Sequence, residues 1–174
     1  MVVGIIGMGY VGSALKEGFK KYHKIETFDI QSSLSTCKTE NDLVSKSDII
    51  FLCLPTPMKK SGVCDISIVE GAIRKLDKLI DIKSEKIIVI KSTIPPGSTE
   101  NFNAKYKNLE IVFNPEFLTE ANFIEDFKNQ KHIILGGEKN TNILSEVYSK
   151  IFPNANIIIT SSTTAEMVKY MTNA

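Results

Sequence analysis

Apolar runs separated by polar or mixed segments divide the chain into blocks, and the blocks predict strands and helices in turn. Strands are predicted by the runs at residues 2–6, 25–28, 47–54, 86–90, 109–113, 132–135 and 156–159. Helices are predicted by apolar residues at helical spacing in residues 13–21, 41–46, 66–80, 142–151 and from 161 onward, with a further helix opening near residue 98.

Alternating strands and helices predict an α/β fold with a doubly wound, mostly parallel sheet, Rossmann-like and three-layered. In such a sheet ligands bind beyond the carboxyl ends of the strands. Four loops are expected at that edge, 7–12, 55–65, 92–98 and 114–120, and the second should lack regular structure because prolines and a glycine interrupt it. Residues 1–160 are expected to form the domain and 161–174 the start of a following helix, in which Thr163 and Glu166 have the spacing of a capping box.

A glycine turn connects the first strand to the first helix. Gly7, Gly9 and Gly12 have the G-x-G-x-x-G spacing that lets a pyrophosphate approach backbone N–H groups at a helix N-terminus. Asp29 follows Gly7 by 22 positions at the end of the second strand, close to the roughly 20 of the dinucleotide fingerprint. A carboxylate there accepts hydrogen bonds from ribose hydroxyls and repels a 2′-phosphate, so NAD is favoured over NADP.

Composition narrows the class of protein. The 174 residues are 43% hydrophobic with a formal net charge of +1, which argues against a nucleic-acid partner. No apolar run approaches the roughly 20 residues that span a bilayer, and the first strand leaves no room for a signal peptide. A cytoplasmic location without membrane contact is expected. Three cysteines without C-x-x-C spacing suggest neither a disulfide framework nor a metal site.

Five motifs in order give a specific resemblance. They read Gly7-Met-Gly-Tyr-Val-Gly12, Leu54-Pro-Thr-Pro57, Lys91-Ser-Thr-Ile-Pro-Pro-Gly-Ser-Thr99, Asn114-Pro-Glu-Phe-Leu-Thr-Glu120 and Ala165-Glu-Met-Val-Lys-Tyr-Met-Thr-Asn-Ala174. Together they resemble the UDP-glucose/GDP-mannose dehydrogenase family, specifically its N-terminal NAD-binding domain and the first turns of the long helix that follows.

The resemblance implies a reaction and a set of residues. The family oxidises a nucleotide-sugar alcohol to a uronate with two NAD per turnover, through a thiohemiacetal and a thioester on a cysteine. The implied cofactor-binding residues are Gly7, Gly9, Tyr10, Val11, Gly12, Asp29, Leu54, Pro55, Thr56, Ser92, Thr93 and Glu120. The implied catalytic residues are Thr93, Glu116, Glu120, Lys169 and Asn173.

Roles also follow from the resemblance. Thr93 corresponds to the residue near the nicotinamide and a catalytic water, Glu116 to the general base for thioester hydrolysis, and Glu120 to a residue that contacts both ligands. Lys169 and Asn173 correspond to the pair that stabilises developing oxyanion charge, and their i, i+4 spacing places both on one helix face. Full-length relatives form homodimers through the long helix.

The chain also departs from the family pattern. The nucleophilic cysteine belongs to a Gly-rich segment of a second domain, and Cys37, Cys53 and Cys64 lack that context, so this chain is expected not to complete the reaction. The segment 30–47 is short, and Leu34 stands where relatives carry a basic residue, so the adenosine side is expected to be weaker or differently built.

Two rival interpretations stay open at this point. A 3-hydroxyacid or 6-phosphogluconate-type dehydrogenase has a similar glycine turn and a lysine and asparagine on a later helix, although Asn114–Glu120 argues against it. A non-catalytic NAD-binding module is the other. Individual residues also have structural explanations, since Thr93 could serve only a turn and Lys169 could be an ordinary solvated lysine.

Overall fold

A computed structural model describes residues 1–172, which form one seven-stranded sheet with helices on both faces. The strands are β1 (Val2–Ile6), β2 (Lys24–Phe28), β3 (Ile49–Leu52), β4 (Ile87–Ile90), β5 (Glu110–Phe113), β6 (His132–Gly136) and β7 (Asn156–Thr160). The helices are α1 (Tyr10–Phe19), α2 (Glu40–Lys46), α3 (Ser67–Leu79), α4 (Ser98–Lys105), α5 (Phe123–Lys128), α6 (Thr141–Ile151) and α7 (Ser162–Thr172). A 3₁₀ turn, Ser32–Leu34, lies between β2 and α2.

The sheet order is β2-β1-β3-β4-β5-β6-β7. All neighbouring pairs are parallel except β5 and β6, which run antiparallel through the pairing of Phe113 with Gly136. The chain passes from β1 outward to β2 and then returns to place β3 on the other side of β1. This reversal leaves a crevice at the carboxyl ends of β1 and β3, where doubly wound sheets bind ligands.

Two hydrophobic cores flank the sheet, because successive strand residues point to opposite faces. Ile50 and Leu52 of β3 pack on the side of α2, α3 and α4, whereas Ile49 and Phe51 pack on the side of α1, α5 and α6. Every residue of β3 and β4 is buried, as expected for central parallel strands. The structure thus confirms the three-layer, doubly wound α/β fold.

Helix α5 is an element that the sequence pattern did not predict. It has six residues, and only Phe127 among them is buried. Its ring lies against Gly18 of α1, where a Cβ atom would come within 2.2 Å of Phe127 Cε1. The glycine therefore gives α5 its close approach to α1.

The segment 55–65 is largely irregular, as predicted, but it turns back on itself as a small hairpin. Met58 and Cys64 form an antiparallel bridge, and the Lys59 N–H donates to the Val63 carbonyl at 2.8 Å. Gly62 has a φ of +81°, a conformation that permits the tight reversal.

The capping box expected at the start of α7 is wrong. The Ser161 hydroxyl accepts from the Thr164 N–H at 3.1 Å and caps the helix instead. Thr163 donates to Glu100 at 2.7 Å, and Glu166 is fully buried against another helix. Both residues of the expected capping box therefore bond to groups elsewhere in the fold and not to each other's backbone. Within residues 1–172, no helix combines the length and apolar character needed to cross a bilayer.

Candidate functional site

A cleft of about 900 Å³ opens at the carboxyl ends of β1, β3 and β4. It brings together residues from all four loops that the sequence pattern placed at this edge. All the cofactor-binding residues implied by the resemblance line the cleft except Gly12, and the implied catalytic residue Glu116 lines it too. The lining residues that the resemblance implied are Gly7, Gly9, Tyr10, Val11, Asp29, Leu54, Pro55, Thr56, Ser92, Thr93, Glu116 and Glu120.

The three positions of the turn favour glycine for different physical reasons. Gly7 has a φ of +93°, and a Cβ there would lie 2.4 Å from the Cys53 carbonyl oxygen. Gly12 lies inside α1, which begins at Tyr10 rather than at residue 13, and a Cβ there would lie 2.0 Å from the Gly7 carbonyl oxygen. A Cβ at Gly9 would meet nothing within 4 Å. The fold requires Gly7 and Gly12, whereas Gly9 leaves open space at the N-terminus of α1, which fits a dinucleotide pyrophosphate.

Asp29 connects the end of β2 to the glycine turn. One carboxylate oxygen accepts from the Met8 N–H at 2.7 Å, and the other accepts from the Gln31 N–H at 2.8 Å. These bonds fix the carboxylate at the cleft wall, and each oxygen keeps a free lone pair for a ribose hydroxyl. In doubly wound folds a carboxylate at this position typically binds the ribose hydroxyls of the dinucleotide.

Hydrogen bonds hold the β3 and β4 loops together in the middle of the cleft. The Leu54 N–H donates to the Ser92 hydroxyl at 2.9 Å. Cys64, at the base of the hairpin, lies with its sulfur 3.7 Å from the Thr93 carbonyl oxygen and 3.9 Å from that of Thr56. The Cys64 thiol, which can donate to one of these carbonyls at a time, therefore lies between the two loops.

A buried ion pair lies at the far end of the cleft. The Lys169 ammonium is 3.2 Å from Glu116 Oε1, and the Leu118 N–H donates to the other carboxylate oxygen at 2.7 Å. The lysine nitrogen also lies 5.4 Å from the centre of the Phe117 ring. Only 5% of the Lys169 side chain is exposed, so it is not an ordinary solvated lysine. Asn173, its expected companion, lies outside the described residues.

A second buried lysine, Lys91, lines the cleft directly after β4. Its ammonium donates to Asn114 Oδ1 at 3.0 Å, and the Tyr148 hydroxyl donates to the same oxygen. Burial lowers the pKa of Lys91 to about 8. Sequence reasoning gave Lys91 no role, although a lysine that directly follows a buried strand at the ligand edge was a usable signal.

The thiols of Cys53 and Cys37 ionise less readily than that of a free cysteine. Burial raises the pKa of Cys53 to about 12, so its thiol stays protonated near neutral pH. Burial and the neighbouring Glu26 carboxylate also raise the pKa of Cys37. In the part of the chain that the structure describes, no group of three His, Cys, Asp or Glu side chains comes together as metal ligands would.

Glu166 anchors α7 beside the cleft. Its carboxylate accepts from the Gly97 N–H at 2.6 Å, the Thr99 N–H at 2.8 Å and the Thr99 hydroxyl at 2.6 Å, which caps the N-terminus of α4. Burial raises the pKa of Glu166. Lys169 lies three residues further along α7, so the same contact fixes the turn that carries the ion pair.

The parallel sheet, the glycine turn and the acid at the end of β2 define a dinucleotide-binding domain of the Rossmann class. The model of the UDP-glucose/GDP-mannose dehydrogenase family, NAD binding domain, matches residues 25–156. The chain therefore belongs to the UDP-glucose/GDP-mannose dehydrogenase family, and its cofactor is NAD. This membership decides against the 3-hydroxyacid and 6-phosphogluconate classes. The match to the family model begins after the glycine turn, so the support for pyrophosphate binding at this turn is its geometry.

Individual relatives agree with the family. The chain is 36% identical to a UDP-glucose 6-dehydrogenase of Rickettsia bellii (strain RML369-C) over 141 residues, covering 77% of this chain and 32% of that protein. It is 40% identical over 148 residues to MJ1054, an uncharacterized protein of Methanocaldococcus jannaschii, covering 80% of this chain and 16% of that protein. The chain thus spans a third or less of these relatives.

A solved structure shares the fold across nearly the whole chain. It is that of a UDP-glucose dehydrogenase from the hyperthermophilic archaeon Pyrobaculum islandicum, with a TM-score of 0.87 and 26% identity. The similarity covers 99% of this chain and 49% of the archaeal chain.

Proposed function

We propose that this chain is the cofactor-binding part of an enzyme that oxidises a nucleotide-sugar alcohol, such as that of UDP-glucose, to a uronate. The observation that supports this most directly is the buried Lys169–Glu116 pair, which lies at one end of the same cleft that contains the glycine turn. A dinucleotide site thereby adjoins a carboxylate and a cation suited to proton transfer and oxyanion stabilisation.

Each residue has a distinct part in the proposal. The pyrophosphate is held at the N-terminus of α1 by Gly9, Tyr10 and Val11. Asp29 binds the adenosine ribose. The loops that contain Thr56 and Thr93 hold the nicotinamide end of NAD. NAD, when bound, supplies the hydride acceptor for both oxidations. Glu116 takes a proton from the water that hydrolyses the thioester, and Lys169 orients that carboxylate and stabilises developing negative charge. Glu120 contacts both ligands.

The thiol that would hold the aldehyde is proposed to come from outside these 174 residues, in the part of its relatives that this chain does not span. A thiohemiacetal needs a reactive cysteine within reach of the aldehyde carbon, and burial raises the pKa of Cys53, which lines the cleft, and of Cys37. Helix α7 is then the start of a helix that leads to that part, through which the longer enzyme dimerises. The chain alone is expected to bind NAD without completing turnover.

Calorimetric titration tests the binding half of this proposal. The chain should bind NAD more tightly than NADP, and Gly9→Val should abolish binding because its side chain fills the space that the pyrophosphate needs. Thermal unfolding of Gly9→Val should match the wild type, since a Cβ at Gly9 meets no protein atom within 4 Å. Unchanged NAD affinity in a folded Gly9→Val variant would contradict the assignment of the turn.

Steady-state assay tests the catalytic half. With NAD and UDP-glucose, the chain alone should produce no sustained NADH absorbance. Sustained turnover to a uronate would contradict the proposed absence of the nucleophile. Failure to bind NAD at all would leave the cleft without its proposed function. A non-catalytic NAD-binding module is the second candidate, because Cys53, a cysteine that lines the cleft, has a pKa raised by burial to about 12. Unchanged NAD binding by a folded Lys169→Ala variant fits both candidates, whereas loss of the oxidation in a longer natural form carrying Lys169→Ala would favour the enzyme.

A further inference from the structure

One wall of the cleft is a single stripe of α3. Ser67, Gly71 and Lys75 line the cleft at intervals of four residues, together with Ile68 and Ala72 beside them. Residues at this spacing share one helix face, and the stripe extends for about 12 Å along the cleft at 1.5 Å per residue. It ends at Lys75, beside the residues that follow β2.

Lys75 forms an ion pair with α2 at this end. Its ammonium lies 3.1 Å from one carboxylate oxygen of Glu40 and 3.3 Å from the other. Glu40 is the first residue of α2, and both partners line the cleft together with Asp29 and Ile30. The pair therefore joins α3 to α2 across the end of the cleft where Asp29 is placed for the adenosine ribose.

The charges here differ from those of a site that accepts a 2′-phosphate. The charged residues that line the described adenosine end are Asp29, Glu40 and Lys75, which sum to one negative charge. Sites that accept NADP place a free cation near the ribose. Here the lysine that lines this end is paired with Glu40, whose carboxylate competes with a phosphate for its ammonium, and 63% of the lysine side chain is exposed. Leu34, in the segment that follows β2, carries no charge.

We propose that the Glu40–Lys75 ion pair is a second determinant of cofactor choice, in addition to Asp29. Glu40 excludes the 2′-phosphate of NADP by engaging Lys75, the cation that lines this end of the cleft and would otherwise bind that phosphate. The inference rests on the proposed binding of NAD in this cleft. It assigns to α2 and α3 a share of the discrimination against NADP that the loop after β2 does not supply.

The test compares NAD and NADP binding by calorimetry at low ionic strength. Glu40→Gln keeps the shape of the side chain and removes its charge, so the Kd for NADP should fall by about three- to ten-fold while the Kd for NAD changes less than about two-fold. In Glu40→Gln/Lys75→Met the gain should disappear, because the freed cation is gone. Glu70→Gln is the matched control: it breaks the ion pair of α3 with Lys105, outside the cleft, and should leave both affinities unchanged.

Each result decides the inference. An unchanged NADP affinity in Glu40→Gln, or a gain that persists in Glu40→Gln/Lys75→Met, would overturn it even if NAD binds normally. An equal gain in Glu70→Gln would show a general charge effect and would also overturn it. If the wild-type chain bound neither nucleotide, the proposed function itself would fail, which is a distinct and recognisable outcome.

Discussion

Removing the Glu166 carboxylate should destabilise the domain more than any change to the local cap of α7. In Glu166→Ala, the buried N–H and hydroxyl of Thr99 and the part-buried N–H of Gly97 lose their acceptor. An unsatisfied buried donor costs about 1–3 kcal/mol, and loss of a helix cap costs about 1 kcal/mol. Allowing for partial relaxation and access of water, the free energy of unfolding should fall by about 2–4 kcal/mol.

Two further variants give the expected order of effects. Glu166→Gln keeps one acceptor oxygen but turns an NH₂ group toward a backbone donor, so it should cost about 1–2 kcal/mol. Thr163→Ala removes an exposed hydrogen bond to Glu100 and should cost less than about 0.5 kcal/mol. A capping box between Thr163 and Glu166 would reverse this order, because glutamine serves as well as glutamate there and the threonine is essential.

Denaturant unfolding, with thermal unfolding as a second measure, separates these cases. For a domain of this size, 1 kcal/mol shifts Tm by about 2–4 °C, so Glu166→Ala should lower Tm by about 4–16 °C. Ser161→Ala, which removes the actual cap of α7, should cost about 1 kcal/mol and serves as the reference. The reasoning would be refuted by a Thr163→Ala loss equal to that of Glu166→Ala, or by a Glu166→Ala loss below 0.5 kcal/mol.

Three more outcomes are expected from the packing and the buried charge. Gly12→Ala should destabilise strongly and prevent NAD binding, since its Cβ would lie 2.0 Å from the Gly7 carbonyl oxygen; circular dichroism melting checks this. Gly18→Ala should lower Tm by forcing Phe127 away from α1, and Gly18→Ala/Phe127→Leu should recover part of the loss. Because the pKa of Lys91 is about 8 when folded and 10.5 when free, the unfolded chain binds more protons between these values. Stability should therefore rise with pH across that window by up to about 3 kcal/mol relative to Lys91→Met, and parallel pH profiles of the two proteins would contradict this.

The sequence predicted the central strands well, for a physical reason. In β3 and β4 both faces are covered by helices, so every residue is apolar and buried, and the run is visible without knowledge of the rest of the fold. Helix α5 escaped prediction because its position depends on Gly18, more than 100 residues earlier in the chain. Its six residues carry too short a pattern to reveal a helix alone.

In the candidate site, too, contacts set by a single strand could be predicted and contacts between helices could not. Residues that follow a parallel strand within a few positions, such as Asp29 after β2 and Thr93 after β4, could be placed together from the sequence because such strands end at one edge of the sheet. The contacts of Glu166 and of the Glu40–Lys75 pair could not, because they depend on how two helices lie relative to each other. For Glu166 the local spacing predicted a capping box, but its carboxylate accepts from the Thr99 N–H of α4 instead.

The glycine turn also carries information about ancestry. Gly7 and Gly12 are required by neighbouring backbone atoms, whereas a side chain at Gly9 would meet no protein atom within 4 Å. Selection for folding alone therefore preserves the first and third glycines and is indifferent to the second. In a lineage released from cofactor binding, the middle glycine should therefore be the first of the three to vary.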